Sequence, residues 1–492
     1  MSATFGEVLN FVRAKGKNII LRVKSQDYFN AQISDVISDS RDVKPGTLFA
    51  CITGENSDGH KFVGMAEKNG ACALLCEHEV DSDLPQIIVE RVRDYLGEVA
   101  SLVYGNPSGK LLMVGVTGTN GKTTTTYIIR SILQAAGIRA GLLGTIIESD
   151  GVTEKDADRT TPESCIVQRQ LAKMVENGCG ACVMETSSHG LYLGRLKGAL
   201  YDVPVFTNLY PEHLDFHKDM ENYFAAKKLL FTDYTKPGFI GAANYDDPYG
   251  KRLTDEFGDN VRGFGLVEGA SSRVVSSQTS IDGTEIVIEA DGFGTLNLHS
   301  PLVGAFNIMN TLCAVTAMRG RVDDSAIMKG VANVPQVPGR LERIDLPNGA
   351  RVFVDFAHTP SALRSVLGVI RKLSGNERRI VSLFGHGGGR YQQNRPELGK
   401  AASEFADEII ITSDNARDED PAEIAKAIAN GATIPHTTIT DRPEAVKFGL
   451  DNLKAGDILV ITGKGPEKFI TIKDKKIPFN DAEAVKSWRD SH

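Results

Sequence analysis

The chain has 492 residues, of which 41% are hydrophobic and 24% are charged, and its formal net charge is −8. This length predicts about three domains, the acidic balance disfavours general nucleic-acid binding, and seven scattered cysteines fit a reducing compartment. No apolar run approaches the roughly 20 residues that span a bilayer and no signal peptide is evident, so we expect a cytoplasmic protein without membrane insertion.

The first segment of the chain mixes short strands and helices. Val43–Cys51 is typical of a turn that leads into a strand, and two polar loops, Ser38–Arg41 and Gly54–His60, flank it. Such loops often carry binding groups, although each one alone is equally an ordinary turn. Asn106–Gly109 interrupts the pattern and predicts a domain boundary.

A glycine-rich loop follows the next apolar run. The run predicts a buried strand, and Gly118 and Gly121 allow the chain to turn tightly before a helix from about Thr123 to Ala136. The helix N-terminus directs N–H groups at an anion, Lys122 supplies a cation, and the Thr123 hydroxyl can bind Mg²⁺. The loop therefore predicts a phosphate site. The spacing departs from the strict P-loop pattern because position 116 is Val, and a glycine turn with a surface lysine is the alternative.

Two further strands of the middle region end in polar residues. Ala181–Met184 is followed by Glu185, and Val203–Phe206 is followed within a few residues by His213. Ligands bind beyond the carboxyl ends of parallel strands, so we expect both side chains to converge with Thr123 on a nucleotide-bound Mg²⁺. Each of them alone could equally be a polar loop residue.

The helix predicted over Tyr223–Phe231 carries Lys227 on the same face as its two terminal aromatic residues. A lysine between two aromatic side chains suggests a role other than simple solvation, although a snorkelling lysine is the alternative. Further on, the Asp-Gly pair within Ser280–Ile288 predicts a hairpin, and Gly304–Asn310 opens a helix.

A third α/β unit begins near Pro338. Its predicted strands each end in polar or glycine-rich sequence, which indicates a ligand site at one sheet edge. The strands are Val352–Asp355, Ile380–Phe384, Glu408–Thr412 and Ile458–Thr462.

Together these motifs resemble the Mur ligases, most closely their MurE type, over nearly the whole chain. The family's stretches occur in order at Gly118–Thr124 (G-T-N-G-K-T-T), Glu185–Gly190 (E-x-S-S-H-G), Phe206–His217, Tyr223–Lys227 (Y-x-A-A-K) and Asp355–Pro360. Glu212 and Phe356 replace the usual Asp and Tyr. Thr160–Glu163 (T-T-P-E) and Asp39–Arg41 (D-S-R) resemble the MurE branch.

The resemblance implies an α/β protein with three domains. These are a small UDP-sugar-binding α/β domain (residues 1–109), a central P-loop ATPase domain with a parallel sheet (110–336) and a C-terminal Rossmann-like domain that binds the amino acid (337–492). It also implies an ATP-dependent amide ligase of peptidoglycan precursor synthesis, acting through an acyl phosphate. The substrates implied are UDP-N-acetylmuramoyl-dipeptide and a diamino acid, and we expect a monomer.

The resemblance assigns the site residues as follows. Catalysis is implied for Lys122, Lys227 and His213. Mg²⁺ would be held by Thr123, Glu185, His213 and Lys227, the last carbamylated so that it becomes a carboxylate-like ligand. ATP binding is implied for Gly118, Thr119, Asn120, Gly121, Lys122, Thr123, Thr124, Asn307, Arg340 and Asp355. UDP-sugar binding is implied for Ser38, Ser40, Glu55, Asn56, Ser57, Thr160, Thr161, Ser187 and Arg195. Amino-acid binding is implied for Arg390, Asp414, Asn415, Ala416, Arg417, Gly463 and Glu467.

The amine donor depends on the segment Asp414–Arg417. It matches the D-N-P-R motif of diaminopimelate-adding relatives with Ala416 in place of Pro, and it keeps Arg417, whose guanidinium suits a second carboxylate. We therefore expect diaminopimelate as the amine donor. Gly389, Tyr391 and Pro466 also depart from the family pattern, so lysine, ornithine or lanthionine stay open as alternative donors.

Two rival interpretations concern the kind of protein. A folylpolyglutamate synthetase-like ligase would share the phosphate loop and the lysine, but the T-T-P-E and D-S-R stretches disfavour it. A regulatory P-loop switch would bind a nucleotide without forming an amide, but no Asn-Lys-x-Asp motif supports it.

Overall fold

A computed structural model describes residues 2–16, 18–54 and 57–492. Glu55 and Asn56, two of the residues expected to bind the UDP-sugar, lie outside this description. The chain divides into two compact units: the first is Met1–Val275, Val287–Asn297 and Met309–Val331, and the second is Ser276–Ile286, Leu298–Ile308 and Ala332–His492. Among the described residues, no helix combines the length and apolar character needed to cross a membrane.

The N-terminal part of the first unit is a small α/β layer. The elements are β1 (Ala3–Thr4), α1 (Phe5–Lys15), β2 (Ile20–Arg22), β3 (Gln32–Ile33), β4 (Asp35–Ile37), β5 (Thr47–Ala50), α2 (Val63–Lys68), β6 (Ala71–Cys76), β7 (Gln86–Ile88) and α3 (Leu96–Val103). The sheet has the order β2–β7–β6–β5–β4, and Thr4 caps α1 with a reciprocal hydrogen-bond pair to Glu7. The predicted strand after the turn at residue 46 is therefore confirmed.

The middle of the chain forms a larger sheet with helices. Its elements are β8 (Leu112–Thr117), α4 (Lys122–Ala135), β9 (Ala140–Leu143), β10 (Ile147–Ser149), β11 (Glu154–Asp156), α5 (Ser164–Glu176), β12 (Ala181–Glu185), α6 (Ser188–Tyr192), β13 (Val203–Phe206), α7 (Leu214–His217), α8 (Met220–Thr232), β14 (Gly241–Asn244), α9 (Pro248–Phe257), β15 (Val261–Gly265), β16 (Ser272–Ser280), β17 (Gly283–Ala290), β18 (Gly294–Ser300), α10 (Ala305–Met318) and α11 (Asp324–Ala332). The strand order begins β11–β10–β9–β12–β8–β13–β14–β15 and continues through β16, β17 and β18, each of which contributes residues to both units.

The strand before the glycine loop lies at the centre of this sheet. β8 pairs in parallel with β12 on one side and with β13 on the other. Glu185 is in register with Val116, and Phe206 is in register with Thr117. The glycine loop, Glu185 and the segment after Phe206 therefore leave the sheet at the same edge, as the sequence predicted.

The C-terminal part of the second unit is built around a second sheet. Its elements are β19 (Glu342–Asp345), β20 (Arg351–Asp355), α12 (Pro360–Ser374), β21 (Ile380–Phe384), α13 (Asn394–Ser403), β22 (Glu408–Ile411), α14 (Pro421–Ala429), β23 (His436–Thr438), α15 (Arg442–Asp451), β24 (Ile458–Thr462), β25 (Phe469–Ile472), β26 (Lys475–Pro478) and α16 (Asp481–Ser491). The strand order of this sheet is β19–β20–β24–β21–β22–β23.

The strands predicted to carry a ligand site are neighbours in this sheet. β20, β24, β21 and β22 run parallel, with Asp355 beside Thr462 and Phe384 beside Ile411. Buried apolar side chains cover both faces of the sheet, which is why these strands are continuous hydrophobic runs. The fold class and the four strands are therefore confirmed, whereas the domain boundaries near residues 109 and 336 stay a prediction.

Candidate active site

The loop between β8 and α4 requires glycine at two positions. Gly118 has φ +146°, and a Cβ there would lie 1.9 Å from Thr207 Oγ1. Gly121 has φ +85°, and a Cβ there would lie 2.4 Å from Asn310 Oδ1. The neighbouring atoms leave no room for a side chain at either position. Glycine also adopts these positive φ values without strain, which lets the loop turn directly into the N-terminus of α4 at Lys122.

The segment after β13 holds this loop in place. Asn120 N donates to Asn208 Oδ1 at 2.9 Å, and Thr119 N donates to Asn208 O at 2.9 Å. Thr207 Oγ1 donates to Asn120 O at 2.6 Å. Thr207 and Asn208, directly after β13, therefore fix the conformation of the loop.

Two lysine side chains meet at one carbonyl of the loop. Lys122 Nζ donates to Gly118 O at 2.9 Å and to Thr119 O at 2.8 Å, and Lys227 Nζ donates to Gly118 O at 2.7 Å. Two lysine amino groups and the positive end of α4 thus lie together at the loop. This arrangement attracts an anion of high charge, such as a triphosphate.

Lys227 is a buried lysine on the inner face of α8. Lys227 is 1% exposed, and its Nζ lies 4.7 Å from the centre of the Tyr223 ring. Burial, reinforced by the charge of Lys122, lowers the pKa of Lys227 well below its usual value. The snorkelling alternative is therefore wrong, and a larger share of this side chain is the neutral, nucleophilic amine at neutral pH.

The buried carboxylate of Glu185 organises the neighbouring loops. Its two oxygens accept hydrogen bonds from Thr145 N at 2.9 Å and Thr145 Oγ1 at 3.0 Å, and Thr160 Oγ1 lies 3.0 Å from that hydroxyl. Thr161 Oγ1 donates to Glu185 O at 3.1 Å and lies 3.0 Å from Ser187 Oγ. The structure thus brings three of the residues expected to bind the UDP-sugar next to the expected metal ligand.

Arg195 belongs to the same cluster through Glu163. Arg195 Nη1 donates to Thr161 O at 3.3 Å, and its Nε lies 3.2 Å from Glu163 Oε1. Arg93 Nη1 reaches the other carboxylate oxygen of Glu163 at 2.7 Å. The T-T-P-E motif indicated Glu163, but no pattern in the sequence indicated Arg93, because the two residues meet only through packing of separate segments.

Ser38 lies beside this region, and Ser40 packs against α2. Ser38 Oγ is 3.8 Å from Cys165 Sγ, near the start of α5, and Ser40 is buried with its hydroxyl 3.3 Å from Met65 Sδ. Asp39 caps the short helical turn that follows it by accepting from Arg41 N at 3.0 Å. Ser38, directly before the D-S-R stretch, is therefore packed close to the segment after Glu163.

His213 is exposed and forms part of a histidine cluster. The ring centre of His189 lies 4.9 Å from that of His213 and 5.2 Å from that of His217. His217 stacks on Tyr223, and its Nε2 lies 3.0 Å from Ser188 Oγ. Burial is the main cause that lowers the pKa of His217 to about 4. His217 is therefore neutral at pH 7, a role that the sequence did not indicate.

The expected ATP residues of the second unit are held by local contacts. Asn307 is buried and its Nδ2 donates to Val303 O at 2.9 Å. Asp355 accepts from Leu341 N and Ala357 N, each at 2.8 Å, and burial raises the pKa of its carboxyl group. The carboxylate thus fixes the turn that carries Arg340, whose guanidinium lies over the Phe356 ring.

The expected amino-acid residues follow β21, β22 and β24. Asn415 Nδ2 donates to Glu467 Oε2 at 2.8 Å, and Gly463 has φ +110° with Asp414 Oδ2 3.0 Å from the place of a Cβ. Ala416 is buried, and Arg417 donates to Gly388 O. Arg390 is exposed. The structure therefore brings these side chains to one edge of the second sheet, as predicted.

One further group has the chemistry of metal ligands. Cys51, His60 and Cys76 are buried with a ligand atom each within 4.8 Å of one another. Both ring nitrogens of His60 already have partners, because Nδ1 lies 2.7 Å from Asp58 Oδ1 and Nε2 accepts from Glu77 N at 3.0 Å. The imidazole is therefore committed to the hydrogen bonds that fix the loop after β5.

A glycine phosphate loop, two converging lysines and a buried carboxylate at adjacent strand ends define a nucleotide-dependent α/β enzyme. Three family models match the chain: "Mur ligase family, catalytic domain" at residues 32–104, "Mur ligase middle domain" at 116–318 and "Mur ligase, glutamate ligase domain" at 339–465. The chain belongs to the Mur ligase family, and it is an ATP-dependent ligase that forms amide bonds.

Several named relatives are similar over almost the whole chain. The UDP-N-acetylmuramoyl-L-alanyl-D-glutamate--2,6-diaminopimelate ligase of Chlorobaculum tepidum is 39% identical over 478 residues, covering 94% of this chain and 93% of the relative. The ligase of the same name from Geobacter sulfurreducens is 38% identical over 488 residues, covering 94% and 95%. A solved structure of a ligase with this name aligns with a TM-score of 0.72 at 28% identity, covering 100% of this chain and 99% of that one.

Proposed function

We propose that this enzyme joins 2,6-diaminopimelate to UDP-N-acetylmuramoyl-L-alanyl-D-glutamate during cytoplasmic synthesis of the peptidoglycan precursor. The similarity to ligases of that name over more than nine-tenths of the chain supports the proposal. The observation that carries it is the convergence of Lys122 and Lys227 on Gly118 O at the N-terminus of α4.

The reaction proceeds in two steps. The D-glutamyl carboxylate attacks the γ-phosphorus of ATP, so that an acyl phosphate forms and ADP leaves. The amine of the diamino acid then attacks the acyl carbon, a C–N bond forms, and inorganic phosphate leaves as the amine gives up a proton. Phosphoryl transfer needs mainly positioning and charge neutralisation, which Lys122 and the N–H groups at the start of α4 supply.

The residues present fit Mg²⁺, since this ion prefers oxygen ligands. Glu185, the last residue of β12, offers a buried carboxylate, and Thr123, in the first turn of α4 beyond the neighbouring strand β8, offers a hydroxyl. His213 is the less usual ligand, and its exposed ring leaves it accessible. Bound Mg²⁺ would neutralise charge on the phosphates.

Lys227 would complete this set after carbamylation. Its neutral amine attacks carbon dioxide, an N–C bond forms and one proton leaves, which converts a buried cation into a carboxylate-like group. The lowered pKa of Lys227 supports this reaction because only the unprotonated amine is a nucleophile. The side chain lies against the loop that we expect to hold the phosphates, where such an anion can meet a metal ion.

The UDP-sugar and ATP residues are proposed from their positions. Thr160, Thr161, Ser187 and Arg195 form one cluster beside Glu185, with Ser38 near the start of α5, and they would bind the UDP-sugar. Glu55, Asn56, Ser57 and Ser40 keep the same expected role. Asn307, Arg340 and Asp355 keep their expected role in ATP binding, with Asp355 acting through the turn that it fixes.

The amine donor is proposed from the second unit. Arg390 and Arg417 provide guanidinium groups for the distal carboxylate of diaminopimelate, and Glu467 and Asp414 provide carboxylate oxygens for an ammonium group. Asn415 would contribute by orienting Glu467, to which its Nδ2 donates. A monocarboxylate amine such as lysine would leave a guanidinium without its partner, which is unfavourable. Cytoplasmic location and a monomeric state remain predictions.

The decisive experiment measures phosphate release from ATP and UDP-N-acetylmuramoyl-L-alanyl-D-glutamate with either diaminopimelate or lysine. We expect release that depends on the amine, with a much higher kcat/KM for diaminopimelate. Release without dependence on any amine would contradict the ligase proposal, whereas faster release with lysine would contradict only the choice of donor.

A further inference from the structure

Lys464 contacts two of the residues expected to bind the amino acid, but it is not itself among the residues expected to do so. Its side chain is 0% exposed. Its Nζ donates to Glu467 Oε2 at 2.9 Å, to Asn415 Oδ1 at 3.3 Å and to Phe469 O at 2.6 Å. These contacts use all three N–H groups of an ammonium, so Lys464 has no donor left for a substrate.

The contacts of Lys464 decide how two pocket side chains are oriented. Asn415 Oδ1 accepts from both Lys464 and Thr471 N, the latter at 2.8 Å. The amide nitrogen of Asn415 must then face the other way, where it donates to Glu467 Oε2 at 2.8 Å. Two donors thus hold one oxygen of Glu467, while the side chain, 40% exposed, presents the rest of the carboxylate to solvent.

The same lysine is linked to Arg417 through the hairpin β25–β26. Phe469, whose carbonyl binds Lys464, is the first residue of β25. Further along that strand Thr471 O accepts from Arg417 N at 3.1 Å, and Lys473 N donates to Arg417 O at 2.8 Å. Arg417 has φ +51°, an uncommon backbone conformation for arginine that these bonds maintain.

We propose that Lys464 is a positioning residue that organises the diamino-acid pocket by fixing Asn415, Glu467 and the hairpin that holds Arg417. It acts through these residues and does not touch the substrate. The inference rests on the proposed function, because the pocket is defined by it.

The test compares Lys464→Met with Lys476→Met, the same substitution at an exposed position of β26. Two reactions are measured: amine-dependent phosphate release, and hydroxamate formation from ATP, UDP-N-acetylmuramoyl-L-alanyl-D-glutamate and hydroxylamine. In the second reaction the hydroxylamine nitrogen attacks the acyl carbon and phosphate leaves. Hydroxylamine is too small to need the amino-acid pocket. The rate of hydroxamate formation therefore shows whether the variant is folded and still forms the acyl phosphate.

We expect Lys464→Met to raise KM for diaminopimelate roughly 10- to 100-fold, while hydroxamate formation and KM for ATP stay within about 2-fold of the parent. Lys476→Met should change neither reaction. Unchanged KM for diaminopimelate, or equal losses in both reactions, would overturn the proposal. A parent enzyme that forms neither product would instead overturn the proposed function.

A double-mutant cycle supplies the second test. If Lys464 acts through its partner, Lys464→Met should raise KM for diaminopimelate much less in a Glu467→Gln background than in the parent. If Lys464→Met raises this KM by the same factor in both backgrounds, Lys464 does not act through Glu467.

A third variant, Lys464→Gln, keeps a hydrogen-bond donor without the charge. Its KM for diaminopimelate should fall between those of the parent and Lys464→Met, and a KM above that of Lys464→Met would count against the proposal.

Discussion

The phosphate loop of the first unit and the amino-acid loop of the second unit are built differently. In the first, Lys227 is 1% exposed, and Lys122 and Lys227 both donate to Gly118 O. The glycines of this loop lie so close to neighbouring atoms that a side chain would not fit. In the second, Arg390 is exposed and Arg417 is half-buried on a loop held by a hairpin. The groups expected to activate the carboxylate are thus fixed by burial, and those expected to select the amine are long side chains held mainly through their backbone.

This difference has a physical consequence for substitution. A buried, close-packed loop tolerates almost no change of shape, because each added or removed atom meets a neighbour or leaves a polar group unpaired. A long arginine at the surface loses only its own contact, and ordering it costs about 2 kcal/mol of rotamer entropy in any case. We therefore expect changes in the first region to abolish the reaction and changes in the second to alter which amine is used.

The largest effect is expected at Lys227. Lys227→Ala should lower the rate of phosphate release roughly 100- to 1,000-fold, since it removes the proposed carbamate from the loop that we expect to hold the phosphates. Short carboxylates added to the assay should restore part of the activity if the missing group is a carbamate. Lys228→Ala, at the next and partly exposed position of the same helix, serves as the control and should remain active. A fully active Lys227→Ala enzyme would contradict the role of this residue.

A matched pair of glycine substitutions sharpens the comparison. Gly118→Ala places a Cβ 1.9 Å from Thr207 Oγ1 at positive φ, and we expect it to lower the free energy of unfolding by about 3 kcal/mol and to abolish ATP use. Gly389→Ala also has positive φ, but the nearest atom, on Arg417, is 3.8 Å away, so about 1 kcal/mol is expected. Urea titrations of both variants measure their free energies of unfolding. Equal losses of stability would contradict the expected difference between the two loops.

Arg417 tests the selective role of the second region. Arg417→Ala should lower kcat/KM for diaminopimelate roughly 10- to 100-fold, because a guanidinium–carboxylate pair is lost, and should change the rate with monocarboxylate amines far less. Hydroxamate formation should be preserved. Equal losses for every amine would show that Arg417 supports the fold and does not select the donor.

The smallest effect is expected from His217. Its pKa is lowered from 6.5 to about 4 in the folded protein, so between these values the unfolded chain binds more protons than the folded one. The contribution of neutral His217 to stability is therefore fully present above pH 6.5 and is lost as the pH falls toward 4. Urea midpoints at pH 7 and pH 5 measure this slope. His217→Gln should flatten it, and His436→Gln, at an exposed histidine, should leave it unchanged.

The sequence alone determined the strand–loop–helix around Lys122, because the signals are local. Glycines at the turn, an apolar run before it and a helical pattern after it lie within 25 residues of one another, and the strands Val203–Phe206, Ile380–Phe384 and Ile458–Thr462 have the predicted bounds. The polar ends of those strands could likewise be assigned to one edge of a parallel sheet, since the direction of parallel strands leaves no other arrangement.

Only the tertiary structure decided which distant side chains share a partner. Lys122 and Lys227 meet at Gly118 O, Arg93 reaches Glu163, and Lys464 collects Asn415, Glu467 and the β25 carbonyl. Such contacts depend on strand order and on how helices pack over the sheet, which bring together residues up to about a hundred positions apart. Local sequence patterns do not indicate which residues these neighbours are. Burial among such neighbours lowers the pKa of Lys227 and gives each N–H group of Lys464 a hydrogen-bond acceptor.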